Sequence, residues 1–291
     1  MPSVRVNDIN LYYQIHGEGV PLVLIMGLRR NLEWWYRQIP SFSKAFRAIV
    51  FDNRGAGRSD KPEMEYSIPL FADDTAGLMD ALGIPSAHIL GISMGGYIAQ
   101  ELALGYPGKV RSLILGCTSC GGRRAVPMSE ARMKIFTANK DLTPEEILRK
   151  DMDIYFSDRF IAAHPEMIRE FVDVSLRYYQ PREAFFRQFA ACLGHDTADR
   201  LGGIKVPALI MAGDDDPLVP SENSLILKEL LPHAKVSYFP NRRHCFFIEE
   251  AERFNREAVE FITSVEAAAK ACPAVSRGVS GQGCNSTDTE E

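Results

Sequence analysis

The chain has 291 residues, of which 46% are hydrophobic and 24% are charged, a composition ordinary for a soluble globular protein. Its formal net charge of −5 argues against a nucleic-acid partner, because surfaces that bind nucleic acid are normally basic. No apolar run approaches the length of a membrane span, so we expect no membrane association.

The first residues and the cysteines bear on where the protein works. Residues 1–5 contain no apolar segment of the kind found in secretory signals, which favours a cytoplasmic location. Six cysteines in such a chain are expected to be reduced thiols. Cys117 and Cys120 form a Cys-x-x-Cys pair, but a zinc site needs two further well-spaced ligands and none is nearby. We therefore expect two partly buried thiols and no metal.

The first third of the chain alternates strand and helix patterns, which favours a single large α/β domain. Residues 4–6 and 11–15 predict an antiparallel hairpin. Apolar runs predict strands buried on both faces at 22–26 and 48–51, and a further strand is predicted at 110–115. Helices are expected at 32–46 and 67–83. The glycine-rich turn 52–59 lacks the Lys-Ser/Thr of a phosphate-binding loop, so we interpret it as structural.

One stretch carries the strongest chemical signal. Ile89 and Leu90 lead into Gly91-Ile92-Ser93-Met94-Gly95, and a helical pattern follows. A Gly-x-Ser-x-Gly motif between a strand and a helix predicts a nucleophile elbow with Ser93 exposed at the edge of the sheet. The glycines suit this turn because it leaves no room for a Cβ atom.

The pattern of buried strands disappears between residues 123 and 203, where helices are predicted at 129–139, 143–155, 165–179 and 182–191. We interpret this segment as an inserted helical lid. The α/β rhythm then resumes with strands at 208–212 and 235–239 and helices at 222–231 and 249–269. From Cys272 onward apolar periodicity is absent, which predicts a disordered tail.

A serine nucleophile needs a base and an acid that orients the base. Of the six histidines only His244 lies in a loop between the last predicted strand and the last helix. Asp214, Asp215 and Asp216 all follow the strand before that loop. Three adjacent carboxylates cannot all point inward, because like charges repel and burial is costly.

The elbow, the Ala-Gly-Asp-Asp-Asp-Pro loop, His244 and the turn 52–59 together resemble the α/β-hydrolase superfamily over nearly the whole chain before the tail. The resemblance implies a mostly parallel eight-stranded sheet flanked by helices. It selects Asp216 as the acid, and it implies backbone amides of Leu28 and Met94 as the oxyanion hole. Met26 departs from the family pattern, which usually has histidine there, but the amides do not depend on that side chain.

The substrate pocket is less well defined by sequence. Aromatic residues able to line an apolar pocket between lid and core, or simply to pack the lid, are Trp34, Trp35, Tyr155, Phe156, Phe160, Tyr178, Tyr179, Phe185, Phe186 and Phe189. Arg29 and Arg30 follow Leu28, so either one is placed to bind a substrate carboxylate. A solvated surface pair is the alternative.

These observations predict a serine hydrolase that cleaves carboxylic esters or lactones through an acyl-enzyme, without metal or organic cofactor. The alternatives are an enol-lactone hydrolase, a hydrolase of carbon–carbon bonds in dicarbonyl compounds, a cofactor-free perhydrolase and a non-enzymatic ligand-binding protein. The expected division is core 1–122, lid 123–203, core 204–271 and tail 272–291. A monomer and a homo-oligomer are both compatible with the sequence.

Overall fold

A computed structural model describes residues 2–271. The predicted tail, residues 272–291, lies outside the described residues. An eight-stranded sheet forms the centre of the protein, with strands β1 (Ser3–Val6), β2 (Ile9–His16), β3 (Pro21–Ile25), β4 (Arg47–Phe51), β5 (Ala87–Ile92), β6 (Val110–Gly116), β7 (Ala208–Gly213) and β8 (Lys235–Phe239). Twelve helices accompany these strands in the described part: α1 (Ile39–Phe42), α2 (Ile68–Ala81), α3 (Met94–Gly105), α4 (Glu130–Thr137), α5 (Pro144–Lys150), α6 (Met152–Tyr155), α7 (Asp158–Ala163), α8 (Pro165–Leu176), α9 (Arg182–Leu193), α10 (Glu222–Leu230), α11 (Phe246–Glu249) and α12 (Ala251–Ala271).

The strand order is β1-β2-β4-β3-β5-β6-β7-β8, and every pairing from β4 to β8 is parallel. The pairings of β1 with β2 and of β2 with β4 are antiparallel, so β2 runs opposite to the other strands. This confirms the predicted fold class. Alternate residues of β3 enter opposite cores: Leu22 and Leu24 pack on one face of the sheet, and Val23 and Ile25 on the other. The strand is thus buried on both sides, as its continuous apolar run predicts.

Several predicted helices differ from those observed. The expected helix 32–46 is a 3-10 turn (Leu32–Trp35) followed by α1, because Pro40 lacks the N–H that a continuous helix requires. The helix predicted at 143–155 is observed as α5 and α6, which are separated at Asp151. The Asp151 side chain forms an ion pair with Arg29. The helix predicted at 249–269 is observed as α12, Ala251–Ala271, and the short helices α7 and α11 were not predicted. No helix within residues 2–271 is long and apolar enough to cross a membrane.

Helices α4–α9 all lie between β6 and β7, which pair directly with each other. The ends of this helical insert meet: Gly121 and Asp196 form an isolated antiparallel bridge, and the Thr197 amide donates to the Cys120 carbonyl at 2.9 Å. The insert therefore leaves and re-enters the sheet at a single point.

The glycine-rich turn after β4 is held by buried charges. Arg54 is fully buried and donates to both carboxylate oxygens of Asp74, at 2.8 and 2.9 Å, and to Asp8 at 2.7 Å. Asp52 accepts from the amides of Leu32 and Arg58, both at 2.7 Å. These contacts tie the turn to the loop after β3, to α2 and to the turn between β1 and β2. The turn therefore has the structural role predicted for it.

The Arg54 network gives a prediction about stability. Replacing Arg54 with Ala leaves the buried Asp74 carboxylate without its partner, so we expect the free energy of unfolding to fall by about 3–5 kcal/mol. Asp8→Asn is the control, because the Asp8 side chain is 56% exposed and its ion pair is worth less than about 1 kcal/mol. Urea unfolding followed by circular dichroism measures both. Equal losses in the two variants would contradict this account.

Candidate active site

Ser93 lies between β5 and α3 with backbone angles φ 57° and ψ −121°, a strained conformation for a residue with a side chain. The glycines around it permit the turn. A Cβ atom on Gly91 would lie 2.1 Å from the carbonyl oxygen of Gly95, and one on Gly95 would lie 2.1 Å from that of Ile25. The strand, turn and helix thus have the arrangement of a nucleophile elbow, with the N-terminus of α3 directed at Ser93.

Asp216 and His244 are joined by a hydrogen bond of 2.7 Å between the carboxylate Oδ2 and the imidazole Nδ1. Oδ1 of Asp216 accepts from the amides of Leu218 and Val219, at 2.8 and 3.0 Å. Because an ionised carboxylate only accepts, Nδ1 carries the proton and Nε2 is the basic nitrogen. Both side chains are buried, so the pair is fixed in orientation and shielded from water.

The two neighbouring carboxylates point elsewhere. Asp214 accepts from the Asn241 amide, and Asp215 lies on the surface, 3.2 Å from Arg243. Of the three candidate acids, only Asp216 reaches His244 in the structure.

The loop that carries His244 is tied to the helical insert. The amides of His244 and Cys245 donate to the carbonyls of Ile154 and Tyr155 in α6, at 3.2 and 2.9 Å. Arg243 adds bonds to the carbonyls of Asp153 and Phe156. The sequence contained no signal for this contact, because backbone pairing between distant segments leaves no side-chain pattern.

Ser93 and His244 line one cavity of about 240 Å³ between the sheet and the insert. In the part of the chain that the structure describes, the Ser93 hydroxyl makes no hydrogen bond, including none to His244. Nucleophile and base are often separated this way in ligand-free enzymes and approach each other only when substrate binds.

The loop after β3 passes directly beside Ser93. A Cβ atom on Gly27 would lie 3.0 Å from the Ser93 Cβ. Leu28 and Met94 both line the cavity, and within residues 2–271 neither of their amides donates to another protein group. The loop is held by Asn53, which donates to the Met26 carbonyl at 2.9 Å. Two amides without partners beside a nucleophile are what an oxyanion hole requires.

Gln188 of α9 fixes the same loop from the insert. Its side-chain oxygen accepts from the Arg29 amide at 3.1 Å, and its nitrogen donates to the Arg54 carbonyl at 2.7 Å. Arg29 has a φ of 72°, which is uncommon for a residue other than glycine. The Gln188 bonds help to hold this conformation, and sequence reasoning did not identify Gln188.

Cys117, at the end of β6, is a further buried neighbour of the pair. Its sulfur lies within 4.8 Å of the Asp216 and His244 ligand atoms. A Cys, Asp and His set suggests a metal site, but burial and the Asp216 charge raise the pKa of the Cys117 thiol well above its usual value. Asp216 already accepts three hydrogen bonds, one of them from His244, so its oxygens are engaged by the acid–base pair. We therefore interpret Cys117 as a buried thiol that packs beside this pair.

The expected pocket residues divide into two groups. Arg29, Trp34 and Tyr155 line the cavity, as does Phe189. The other seven aromatic candidates are absent from its described lining: Trp35, Phe156, Phe160, Tyr178, Tyr179, Phe185 and Phe186. Trp35 is fully buried against Phe247, Phe156 packs among the aromatic rings of the insert, and Tyr178 lies 47% exposed over Arg58. The pocket role expected for these seven residues was wrong, because position in the sequence does not distinguish a side chain that lines a cavity from one that packs elsewhere.

The cavity also contains polar groups that sequence reasoning did not assign to it, namely Tyr97, Ser119, His195 and Asn223. The Tyr97 ring stacks on His195 at 4.3 Å, and its hydroxyl is 3.1 Å from that of Ser119. Burial lowers the pKa of His195 to about 4, so this histidine is neutral at physiological pH. The sequence did contain one signal for Tyr97. Tyr97 follows Ser93, the residue that caps α3, by one helical turn, so both side chains are expected on the same side of the helix.

Comparison with known proteins places this geometry in a family. Residues 20–163 and 165–251 match the family model for the alpha/beta hydrolase fold. The chain therefore belongs to the α/β-hydrolase family and is a hydrolase. RutD of Azorhizobium caulinodans, which is named as a carbamate hydrolase, is 32% identical over 91% of this chain and 100% of its own.

Two further relatives carry other hydrolase names. The 2-hydroxy-6-oxononadienedioate/2-hydroxy-6-oxononatrienedioate hydrolase of Burkholderia vietnamiensis is 33% identical over 88% of this chain and 91% of its own. The solved structure of an enol-lactonase from Burkholderia xenovorans superimposes with a TM-score of 0.81 at 26% identity, covering 90% of this chain and 100% of that one. Relatives of comparable similarity thus carry the names of different hydrolases.

The contacts of the three aspartates give a test. Asp216→Asn is expected to lower kcat for p-nitrophenyl acetate by about 10³- to 10⁴-fold, because an amide at this position stabilises the wrong imidazole tautomer. Asp215→Asn is the matched control at the exposed neighbouring position and should stay near the wild-type rate. Equal rates in the two variants would remove Asp216 from the reaction.

Proposed function

We propose that this hydrolase cleaves carboxylic esters or lactones of small to medium molecules through an acyl-enzyme on Ser93. The observation that carries the proposal is the 2.7 Å Asp216–His244 pair opening on the same cavity as a strained serine. A serine at an elbow, an oriented imidazole and two amides without partners are the parts that acyl transfer needs.

In the first half of the reaction the Ser93 hydroxyl attacks the carbonyl carbon while Nε2 of His244 takes its proton. Asp216 holds the imidazole in the reactive tautomer and stabilises the imidazolium that forms. The Leu28 and Met94 amides donate to the tetrahedral oxyanion. His244 then returns the proton to the departing alcohol, and the C–O bond breaks.

In the second half, water attacks the acyl-enzyme with His244 again acting as base, which releases the carboxylic acid and regenerates Ser93. For a lactone the leaving alcohol stays attached to the acyl group, so the product is a single hydroxy acid. The helical segment 123–203 acts in this proposal as a lid, because it covers the cavity and carries Tyr155 and Phe189 in its wall.

The same parts also serve the alternatives. Relatives named for carbamate hydrolysis, for hydrolysis of an oxo-dienedioate and for lactone hydrolysis show that the leaving group varies within this fold. Enol-lactone hydrolysis is a case of the proposed reaction. Carbon–carbon cleavage of dicarbonyl compounds, carbamate hydrolysis and perhydrolysis share the serine and differ in the bond that breaks or in the nucleophile that releases the acyl group.

Covalent trapping tests the nucleophile. A fluorophosphonate probe should add its mass once to the wild-type protein and not to Ser93→Ala, as measured by intact-protein mass spectrometry. Ser119→Ala is the matched control, because Ser119 lines the same cavity but its hydroxyl is engaged by Tyr97 and by the Gly121 amide. Labelling that persists in Ser93→Ala would refute the serine mechanism, and an unlabelled wild-type protein would favour a binding protein over an enzyme.

A substrate panel tests the reaction class. Acyl esters, lactones, dicarbonyl compounds and carbamates of matched size should be compared by kcat/KM on the purified protein. We expect the esters or lactones to give the highest values. A dicarbonyl compound or a carbamate that exceeds both would replace the proposed bond while retaining Ser93.

A further inference from the structure

Arg29 and Arg30 are adjacent in sequence and equally buried, each 6% exposed, so the sequence alternative of a solvated surface pair is wrong. Their environments differ. The Arg29 guanidinium lies 3.3 Å from the buried Asp151 carboxylate and 4.2 Å from the ring centre of Phe185. Its charge is therefore compensated within the protein.

Arg30 has no such partner. Its guanidinium lies 4.1 Å from the ring centre of Trp34 and 4.9 Å from that of Tyr155, and it donates a hydrogen bond to the Tyr155 hydroxyl. Within residues 2–271 no carboxylate comes within salt-bridge distance of it. The Asp151 carboxylate forms ion pairs with Arg29 and Lys150. The Asp216 carboxylate is hydrogen-bonded to His244.

The ionisable neighbours of Arg30 do not neutralise it either. Burial raises the pKa of Tyr155 to about 12, so that hydroxyl stays protonated at physiological pH. Burial also raises the pKa of the Cys245 thiol well above its usual value. Since arginine cannot lose its proton in a protein, Arg30 is a buried cation without a counter-ion.

A buried charge of this kind is costly unless a partner arrives. Arg30 lines the same cavity as Ser93 and His244, and four of its five N–H donors are unused within the described chain. The Tyr155 hydroxyl accepts from Arg30 and donates to no described residue, which leaves its proton for the same ligand. The planar fork of a guanidinium matches a carboxylate.

We infer that Arg30, with Tyr155, binds a carboxylate of the substrate, so that the enzyme prefers esters or lactones carrying a negative charge. This inference rests on the proposed function, because it places the anion in the cavity of Ser93. It assigns to Arg30 the role that the sequence left open between Arg29 and Arg30, since Arg29 is paired with Asp151.

Two esters of matched length test the inference. The p-nitrophenyl monoester of adipic acid and p-nitrophenyl hexanoate differ only in a terminal carboxylate against a methyl group. In the wild type kcat/KM should be higher for the adipate ester, and the ratio of the two values should fall about 10- to 100-fold in Arg30→Gln. Arg124→Gln is the matched control, because the Arg124 side chain is 44% exposed, pairs with Glu229 and does not line the cavity, so its ratio should stay near that of the wild type.

Inhibition of the wild-type protein covers the case in which Arg30→Gln fails to fold. Free adipate should compete with p-nitrophenyl hexanoate more strongly than 1,6-hexanediol, which has the same length without the charges. Equal inhibition by the two compounds, or an equal fall of the ester ratio in the Arg124 and Arg30 variants, would overturn the inference.

The two proposals fail in distinguishable ways. If Ser93→Ala still cleaves both esters, the serine mechanism fails. If Ser93→Ala is inactive but the wild type does not favour the adipate ester, only the carboxylate site fails. Calorimetric binding of adipate to Ser93→Ala, lost in the Ser93→Ala/Arg30→Gln double variant, would support the site without any turnover.

Discussion

The close packing of backbone around Ser93 is the constraint on which the rest of the site depends. A side chain in this left-handed conformation is stable only when its surroundings determine it. Here Gly91 and Gly95 lie against carbonyl groups that would clash with any Cβ atom, and Gly27 lies against the serine itself. Because β3 and β5 are neighbours in the sheet, the same packing brings the loop after β3 beside the serine. One local geometry therefore sets both the nucleophile and the position of the Leu28 amide.

The helical insert takes part in the site as well as covering it. Gln188 holds the backbone at Arg29, and the carbonyls of Ile154 and Tyr155 hold the loop of His244. The insert thus contacts the oxyanion side and the base side of the cavity independently. It also interrupts its own helix at Asp151, where the carboxylate neutralises Arg29. Arg30, the next residue, has no carboxylate partner among residues 2–271, so the two adjacent arginines differ in charge compensation.

The sequence predicted the sheet well, because continuous apolar runs and alternation report burial directly; the expected strand 235–239 matches β8 residue for residue. It also led to Ser93, Asp216 and His244 as candidates, since the elbow motif and the loop order are local signals. It did not separate Trp34 from Trp35, because one rotation of a short 3-10 helix decides which ring meets the cavity. It could not separate Arg29 from Arg30, because the deciding partner, Asp151, is remote in the chain. Gln188 was missed for the same reason, because its partners near Arg29 and Arg54 are remote in the chain.

The bridge between Gly121 and Asp196 has a consequence for the evolution and engineering of this protein. Because the two ends of the insert are paired with each other, a segment of different length or sequence can be grafted there without altering the strand order. The graft would have to supply an equivalent of Gln188 and a backbone edge for the His244 loop. Substrate range is then expected to change through other residues of the insert. These residues face the cavity but hold neither the Arg29 backbone nor the His244 loop, as is the case for Phe136 and Phe189.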